Sequence, residues 1–315
     1  MGVTHFEEAR RYPVAVGHFD TRWTMLGEDA GARTVGVRRI EVAPGSWTTP
    51  AHEHGRGEEI FYVLAGRGLA WLNGKTAPIE GGDCIVFRPR RGAHTLHALQ
   101  PLDVLAFGPR EHDEIPRFPR LGHLLAGGRW VQSAPGSAEG LPVQFVEEAR
   151  VGAPELPATA GDRPTTIVNL ADVEPVTAHR GRVARTRRNL GRAAGSRDTG
   201  LQHVEVAPGG ESAPAHCHSL EEEIFVVLDG SGALVLEGGA ESGETPVRPG
   251  SVVACPAGTG VAHLFRAGEQ GMTYLAYGPR NPGDMCFYPR SSKISFNGLG
   301  VIARVQALDY WDGEE

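Results

Sequence analysis

Two short segments carry the residues best suited to chemistry. The first is Ala51-His52-Glu53-His54-Gly55-Arg56-Gly57-Glu58-Glu59-Ile60-Phe61-Tyr62-Val63-Leu64-Ala65-Gly66, and the second is Ala215-His216-Cys217-His218-Ser219-Leu220-Glu221-Glu222-Glu223-Ile224-Phe225-Val226-Val227-Leu228-Asp229-Gly230. Residues two apart in an extended chain face the same way, so His52 and His54 point together while Glu53 points away. The same rule turns Cys217 outward, away from His216 and His218, and it is not read as a ligand. A short turn lets Glu59 or Glu223 return to the histidine face, and His94 or His263 arrives from a separate strand. Three imidazoles and one carboxylate form an N3O set suited to Mn, Fe, Co, Ni or Zn, and too rich in nitrogen for Ca or Mg. An octahedral ion there keeps two positions open for water, substrate or dioxygen.

Such a set must be carried on short strands, and the surrounding pattern supplies them twice. From Leu26 onward the two halves align at a constant offset of 164: Ile40-Glu41-Val42-Ala43-Pro44-Gly45 meets Val204-Glu205-Val206-Ala207-Pro208-Gly209, and His52 meets His216. Duplication accounts for this most simply. Gly68-Leu69-Ala70-Trp71-Leu72 ends at Asn73-Gly74, a pair suited to a two-residue hairpin, and its counterpart ends at Glu237-Gly238-Gly239. Gly82 to Pro89 and Gly250 to Pro256 are each a glycine turn and a strand closed by proline. After that the offset becomes 170, pairing Leu105-Ala106-Phe107-Gly108-Pro109-Arg110 with Leu275-Ala276-Tyr277-Gly278-Pro279-Arg280, and Phe118-Pro119-Arg120 with Tyr288-Pro289-Arg290. Strands at regular spacing between Gly and Pro turns indicate an all-β barrel or sandwich, here two in tandem. The proline-rich stretch from about 150 to 165 reads as a linker between domains at 1–150 and 165–315.

A chain of 315 residues supports two cores. Its 43 glycines and 23 prolines are about a fifth of the residues, which fits many tight turns without implying disorder. A net charge of -7 argues against nucleic-acid or anionic-membrane partners and favours a small-molecule substrate. No apolar run suggests a signal peptide or a membrane span, and four cysteines without CxxC spacing read as reduced thiols; the expected location is cytoplasmic. There is no GxSxG, phosphate loop or dinucleotide fingerprint, so no further catalytic residue is named.

These motifs strongly resemble the cupin superfamily, and the duplication resembles a bicupin. The first cupin motif is matched by His52, His54, Glu59 and Gly66, and again by His216, His218, Glu223 and Gly230. The second is matched by Gly82, Pro89, Gly92 and His94, and by Gly250, Pro256, Gly258 and His263. Its trailing asparagine is missing, with Ala98 and Ala267 near that place, and the proline-to-histidine spacing is five residues in one copy and seven in the other. The resemblance implies two tandem double-stranded β-helix (jelly-roll) barrels, each binding a divalent transition metal (Fe, Mn, Ni or Zn), and admits a homodimer. Because cupins host many chemistries, it narrows function less than fold. The expected function is a metal-dependent oxidoreductase of the dioxygenase type. The alternatives are a non-oxidative decarboxylase or isomerase, and a non-catalytic ligand-binding bicupin.

Other groups have plainer readings. Glu58, Glu221 and Glu222 read as solvated turn charges. Arg88, Arg90 and Arg91 read as rim residues, although an arginine there could clamp an anionic substrate and makes the first barrel the favoured substrate site. The basic run Arg180, Arg182, Arg185, Arg187, Arg188, Arg192 and Arg197 fits the exposed face of an edge strand. Phe61 and Phe225 share the parity of the glutamate ligands and should line the cavities. His97, His112, His123, His179 and His203 are read as structural.

Overall fold

The computed structural model describes residues 1–111, 113–126, 129–131, 143–238 and 242–314; His112 and Gly239 lie outside the described residues. It is an all-β protein of two jelly-roll barrels. In the first, a seven-stranded sheet runs Ile167–Asn169, Asp83–Phe87, Glu59–Ala65, Leu102–Pro109, Val35–Val42, Phe19–Thr24 and Arg11–Val16 in order of neighbours. A three-stranded sheet of Lys75–Glu80, Arg67–Leu72 and His94–Ala98 packs on it around Phe61, Val63, Ile79, Leu96 and Val104. The Asn73-Gly74 hairpin forms as expected, with positive φ of 48° and 82°. In the second barrel, Glu223–Glu237 and Ala262–Pro279 each run through as one long strand where the first barrel uses two.

The unbroken apolar run Ile60-Phe61-Tyr62-Val63 has a direct physical reason. Phe61 and Val63 enter the interior of their own barrel, while Ile60 and Tyr62 enter a second core shared with Ile224, Val226, Leu275 and Tyr277 of the other barrel. The strand is buried on both faces, so it does not alternate polar and apolar. Phe107 stacks on Tyr277 across this joint at 5.2 Å between ring centroids.

The barrels also exchange strands. Gly2–His5 pairs antiparallel with Ser251–Cys255 of the second barrel, and Ile167–Asn169 pairs with Asp83–Phe87 of the first. The proline-rich stretch is pinned along the first barrel: the Glu155 carbonyl accepts from Trp71 Nε1 at 3.0 Å, and Arg163 grips buried Asp83 with two bonds of 2.8 and 2.6 Å. One element has no signal in the strand pattern. The helix Val143–Val151 buries Phe145 against Phe19 and Trp23 and places Glu148 against Arg120 at 2.8 Å.

Candidate metal centre

The structure brings all four expected residues of the first set together. An isolated β-bridge joins His52 to His94, whose backbone N–H groups donate to each other's carbonyls at 3.2 and 2.8 Å. Glu59 opens the strand Glu59–Ala65 and places Oε2 3.0 Å from His94 Nε2 and 3.6 Å from Nε2 of both His52 and His54. The four donors lie within 4.8 Å of one another. In the second barrel, His216 bridges to His263, and Glu223 Oε2 lies 3.0 Å from His263, 3.5 Å from His218 and 3.7 Å from His216. Outward placement of Cys217 is also seen: it packs with Ala215, Val235 and Leu264.

Each imidazole is aimed by its other nitrogen. His52 and His216 donate Nδ1–H to the carbonyls of Pro50 and Pro214, both at 2.9 Å, which turns the Nε2 lone pairs toward the glutamates. Glu114 Oε1 sits 3.8 Å from His54 Nδ1 while accepting from the N–H groups of Gly55 and Gly57 at 2.6 and 2.8 Å. Asp284, in the equivalent place of the second barrel, accepts from His218 Nδ1 at 2.7 Å and from the Leu220 N–H at 2.8 Å. Sequence reasoning missed both carboxylates. The 170 offset that pairs Phe118 with Tyr288 also pairs Glu114 with Asp284, so the signal was present.

The electrostatics fit a cation. Burial would raise Glu59 and Glu223, but the surrounding imidazoles outweigh it and hold both carboxyls well below their ordinary range. Burial pushes His94 down to about 4. His54 is opposed by burial yet lifted to about 9 by Glu114 and Glu59, and Glu114 is correspondingly held at about 2, its own burial overcome by His54 and the loop amides. Among the described residues, His54 Nε2 is buried and has no hydrogen-bond partner. Three neutral-capable imidazoles and an ionised carboxylate, with a buried nitrogen left unpaired and aimed inward, suit one divalent transition ion per barrel.

A cavity of about 350 Å³ opens onto the first set, lined by His52, His54, Glu59, Arg38, Glu111 and Phe145 among others. Arg38 stands on the interior-facing parity of Val35–Val42, with its guanidinium 5.5 Å from the Trp23 ring. Among the described residues no carboxylate lies within ion-pair distance of it. A second cavity of about 300 Å³ reaches only Glu223 of the second set and is lined by Arg187, Arg192, Gln202 and Arg280.

Several sequence expectations change. Glu58 and Glu222 are not solvated: they are 2 % and 1 % exposed, and each crosses to the other barrel. Glu58 accepts from Ser196 Oγ, Thr199 Oγ1 and the N–H groups of 197 to 199, and Glu222 accepts from Thr34 Oγ1 and the N–H groups of 33 to 35. Glu221 is half-buried and accepts from the Asn281 N–H at 2.5 Å. Phe61 is fully buried and does not line the cavity; Phe225 packs edge-on against His263 at 5.6 Å. Arg88, Arg90 and Arg91 stay outside the cavity, Arg90 donating to the Gly55 carbonyl, and the arginines that line it are Arg38 and Arg110, the latter paired with Glu28 at 3.3 Å. The basic run does lie partly on an edge: Val176–Arg180 ends its sheet, with Arg180 and Arg182 exposed.

Comparison with known proteins agrees with this architecture. Residues 38–107 and 202–276 each match the Cupin domain family. The solved structure of oxalate decarboxylase from Bacillus subtilis superposes with a TM-score of 0.61 at 14% identity, covering 88% of this chain and 75% of that one. A second structure of that enzyme, studied for its Mn(II) centres, gives 0.59 at 13% identity over 88% and 76% of the two chains. An uncharacterised protein of Methanocaldococcus jannaschii is 31% identical over 80 residues, spanning 23% of this chain and 61% of its own length. No helix among the described residues is long and apolar enough to cross a membrane. With one Cupin domain match in each half and the same tandem barrels, the chain carries two cupin domains, each with a donor set suited to a divalent metal.

Proposed function

We propose that the protein is a metal-dependent bicupin enzyme that decarboxylates a small carboxylate-bearing molecule at the first barrel, without consuming dioxygen. His52, His54, Glu59 and His94 would hold the catalytic ion, and His216, His218, Glu223 and His263 the second. The observation that carries the proposal is the unpaired Arg38 guanidinium in the cavity that opens on His52, His54 and Glu59. A guanidinium beside a metal set recognises a carboxylate bidentately. The oxalate decarboxylases that share the tandem fold support this alternative over the dioxygenase expectation.

A divalent ion in this set supplies Lewis-acid polarisation of a substrate oxygen. Arg38 binds and orients a substrate carboxylate, and the apolar faces of Trp23, Phe118 and Phe145 limit water around it. Glu111 is the proton donor by elimination among the cavity carboxylates. Glu58 is engaged by the other barrel, Glu59 faces three imidazoles, and Glu114 is held at about 2. Burial raises Glu111 above its ordinary value even though Arg56 Nε, 2.8 Å from its Oε2, pulls it down. As the carbon–carboxylate bond breaks, carbon dioxide leaves, the electron pair remains on carbon, and that carbon takes the Glu111 proton. Glu111 is re-protonated from solvent.

The test is turnover of a panel of small mono- and dicarboxylates by metal-loaded protein under argon, with released carbon dioxide measured. Undiminished release without oxygen is expected. Oxygen uptake matching substrate loss, with no anaerobic turnover, would return the protein to the dioxygenase class.

A further inference from the structure

The two metal sets differ in their neighbouring donors. In the first barrel the four ligand atoms close into a single group. In the second, the donors form three overlapping triads: His216 with Glu223 and His263, His216 with His218 and Cys286, and His218 with Glu221 and Asp284. Cys286 is 4 % exposed and lies on the strand Met285–Tyr288, directly opposite His218 in the antiparallel pair with Cys217–His218. Directly opposed residues project to the same face, so the thiol enters the barrel with His218, whereas Cys217 and Phe287 face the apolar cluster behind. The sulfur lies within 4.8 Å of the His216 and His218 ligand nitrogens, and Tyr288, two residues on, stacks on His216 at 6.0 Å.

The duplication supplies a control within the same chain. At the 170 offset, Cys286 corresponds to Pro116 and Tyr288 to Phe118. Phe118 keeps the stacking role, on His52 at 6.0 Å, but Pro116 offers no donor. The carboxylate that aims the second histidine is retained, whereas Glu221, 3.9 Å from His218 Nδ1, corresponds to Gly57 at the 164 offset.

We propose that Cys286 is a metal ligand, making the second centre a mixed imidazole, carboxylate and thiolate site distinct from the first. This rests on the reading that His216, His218, Glu223 and His263 hold an ion. On binding, the S–H bond gives way to a sulfur–metal bond and the proton passes to solvent. A soft thiolate biases the site toward zinc or cobalt, while the first set remains indifferent between these and manganese. The chain is thereby built to hold two different ions, and the second cavity, which reaches only Glu223, does not require its ion to be open to substrate.

The experiment is cobalt(II) reconstitution of the full chain, read by bound cobalt per chain and by the near-ultraviolet sulfur-to-cobalt charge-transfer band. Wild type, Cys286→Ser, Cys217→Ser and His52→Ala are compared, with circular dichroism checking that each folds. The expected result is a band in wild type, in C217S and in H52A, where only the second centre is filled, and none in C286S. Two cobalt ions per chain without the band, or a band that survives in C286S, overturns the thiolate while leaving the histidine set standing. One cobalt in wild type and none in H52A overturns the second centre itself. If C286S does not fold, the band in wild type and H52A decides alone, since among the described residues no other cysteine joins a metal-competent group.

Discussion

Glu58 and Glu59 are consecutive in the chain but serve different barrels. Glu58 lodges its carboxylate in the turn at residues 196 to 199 of the second barrel, while Glu59 sets its own among His52, His54 and His94 of the first. Glu222 and Glu223 repeat the arrangement in reverse. Each metal set therefore begins one residue from a contact that fastens the barrels together. Three successive backbone N–H groups converge on each crossing carboxylate, the geometry of a backbone anion nest.

Replacing Glu58 with Ala should accordingly be severe. Five donors lose a buried acceptor, and the cost is expected at about 2–4 kcal/mol by urea denaturation. Because the lesion adjoins Glu59, metal affinity of the first barrel should fall with it. Unchanged stability would show that water replaces the carboxylate at no cost.

Removing the carboxylates that aim the histidines should weaken metal binding without abolishing it. Glu114→Gln and Asp284→Asn each lose a charged partner of a ligand Nδ1. Competitive chelator titration should show a loss of about 10- to 100-fold, confined to the barrel that carries the substitution. Equal effects on both centres would contradict the assignment.

Arg38→Ala should raise KM by roughly tenfold or more, the effect of deleting a charge-assisted bond of about 1.5–3 kcal/mol, and Arg38→Lys should recover part of it. Steady-state kinetics on the carboxylate that turns over best provide the check. An unaltered KM would remove Arg38 from substrate recognition.

Part of the acid sensitivity should trace to a histidine outside the metal sets. His18, packed on Phe19 at 4.1 Å, is pushed down to about 4, by burial first and by Arg120 second. Its folded value lies below its unfolded one, so the folded state is disfavoured as pH falls from about 6.5 and the loss is complete below about 4. His18→Gln should flatten that part of the melting curve against pH. Parallel wild-type and variant curves across this window would locate the sensitivity elsewhere.

The ligands were legible because metal chemistry leaves a local mark: His52, His54 and Glu59 lie within eight residues, and the duplication repeats them with His216, His218 and Glu223. Strand boundaries were legible for a similar reason, since Asn73-Gly74 and Pro89 act on the backbone beside them. Glu58 and Glu222 were misread because their partners lie well over a hundred residues away, and a charge in a turn looks the same whether water or another barrel receives it. Arg38 was passed over for Arg88, Arg90 and Arg91 because sequence proximity to His94 is a poor guide to a cavity mouth formed across strands. Phe61 followed the parity rule but met a packed interior, as the cavity lies nearer the helix Val143–Val151.

Metal content tests the central claim most directly. Elemental analysis of the purified protein should find close to two divalent transition-metal ions per chain, falling to one in His52→Ala and in His216→Ala, with carbon dioxide release lost in His52→Ala and retained in His216→Ala. A chain that binds no such ion when labile metal is preserved and resupplied, or a His52→Ala variant that turns over at the wild-type rate, would contradict it.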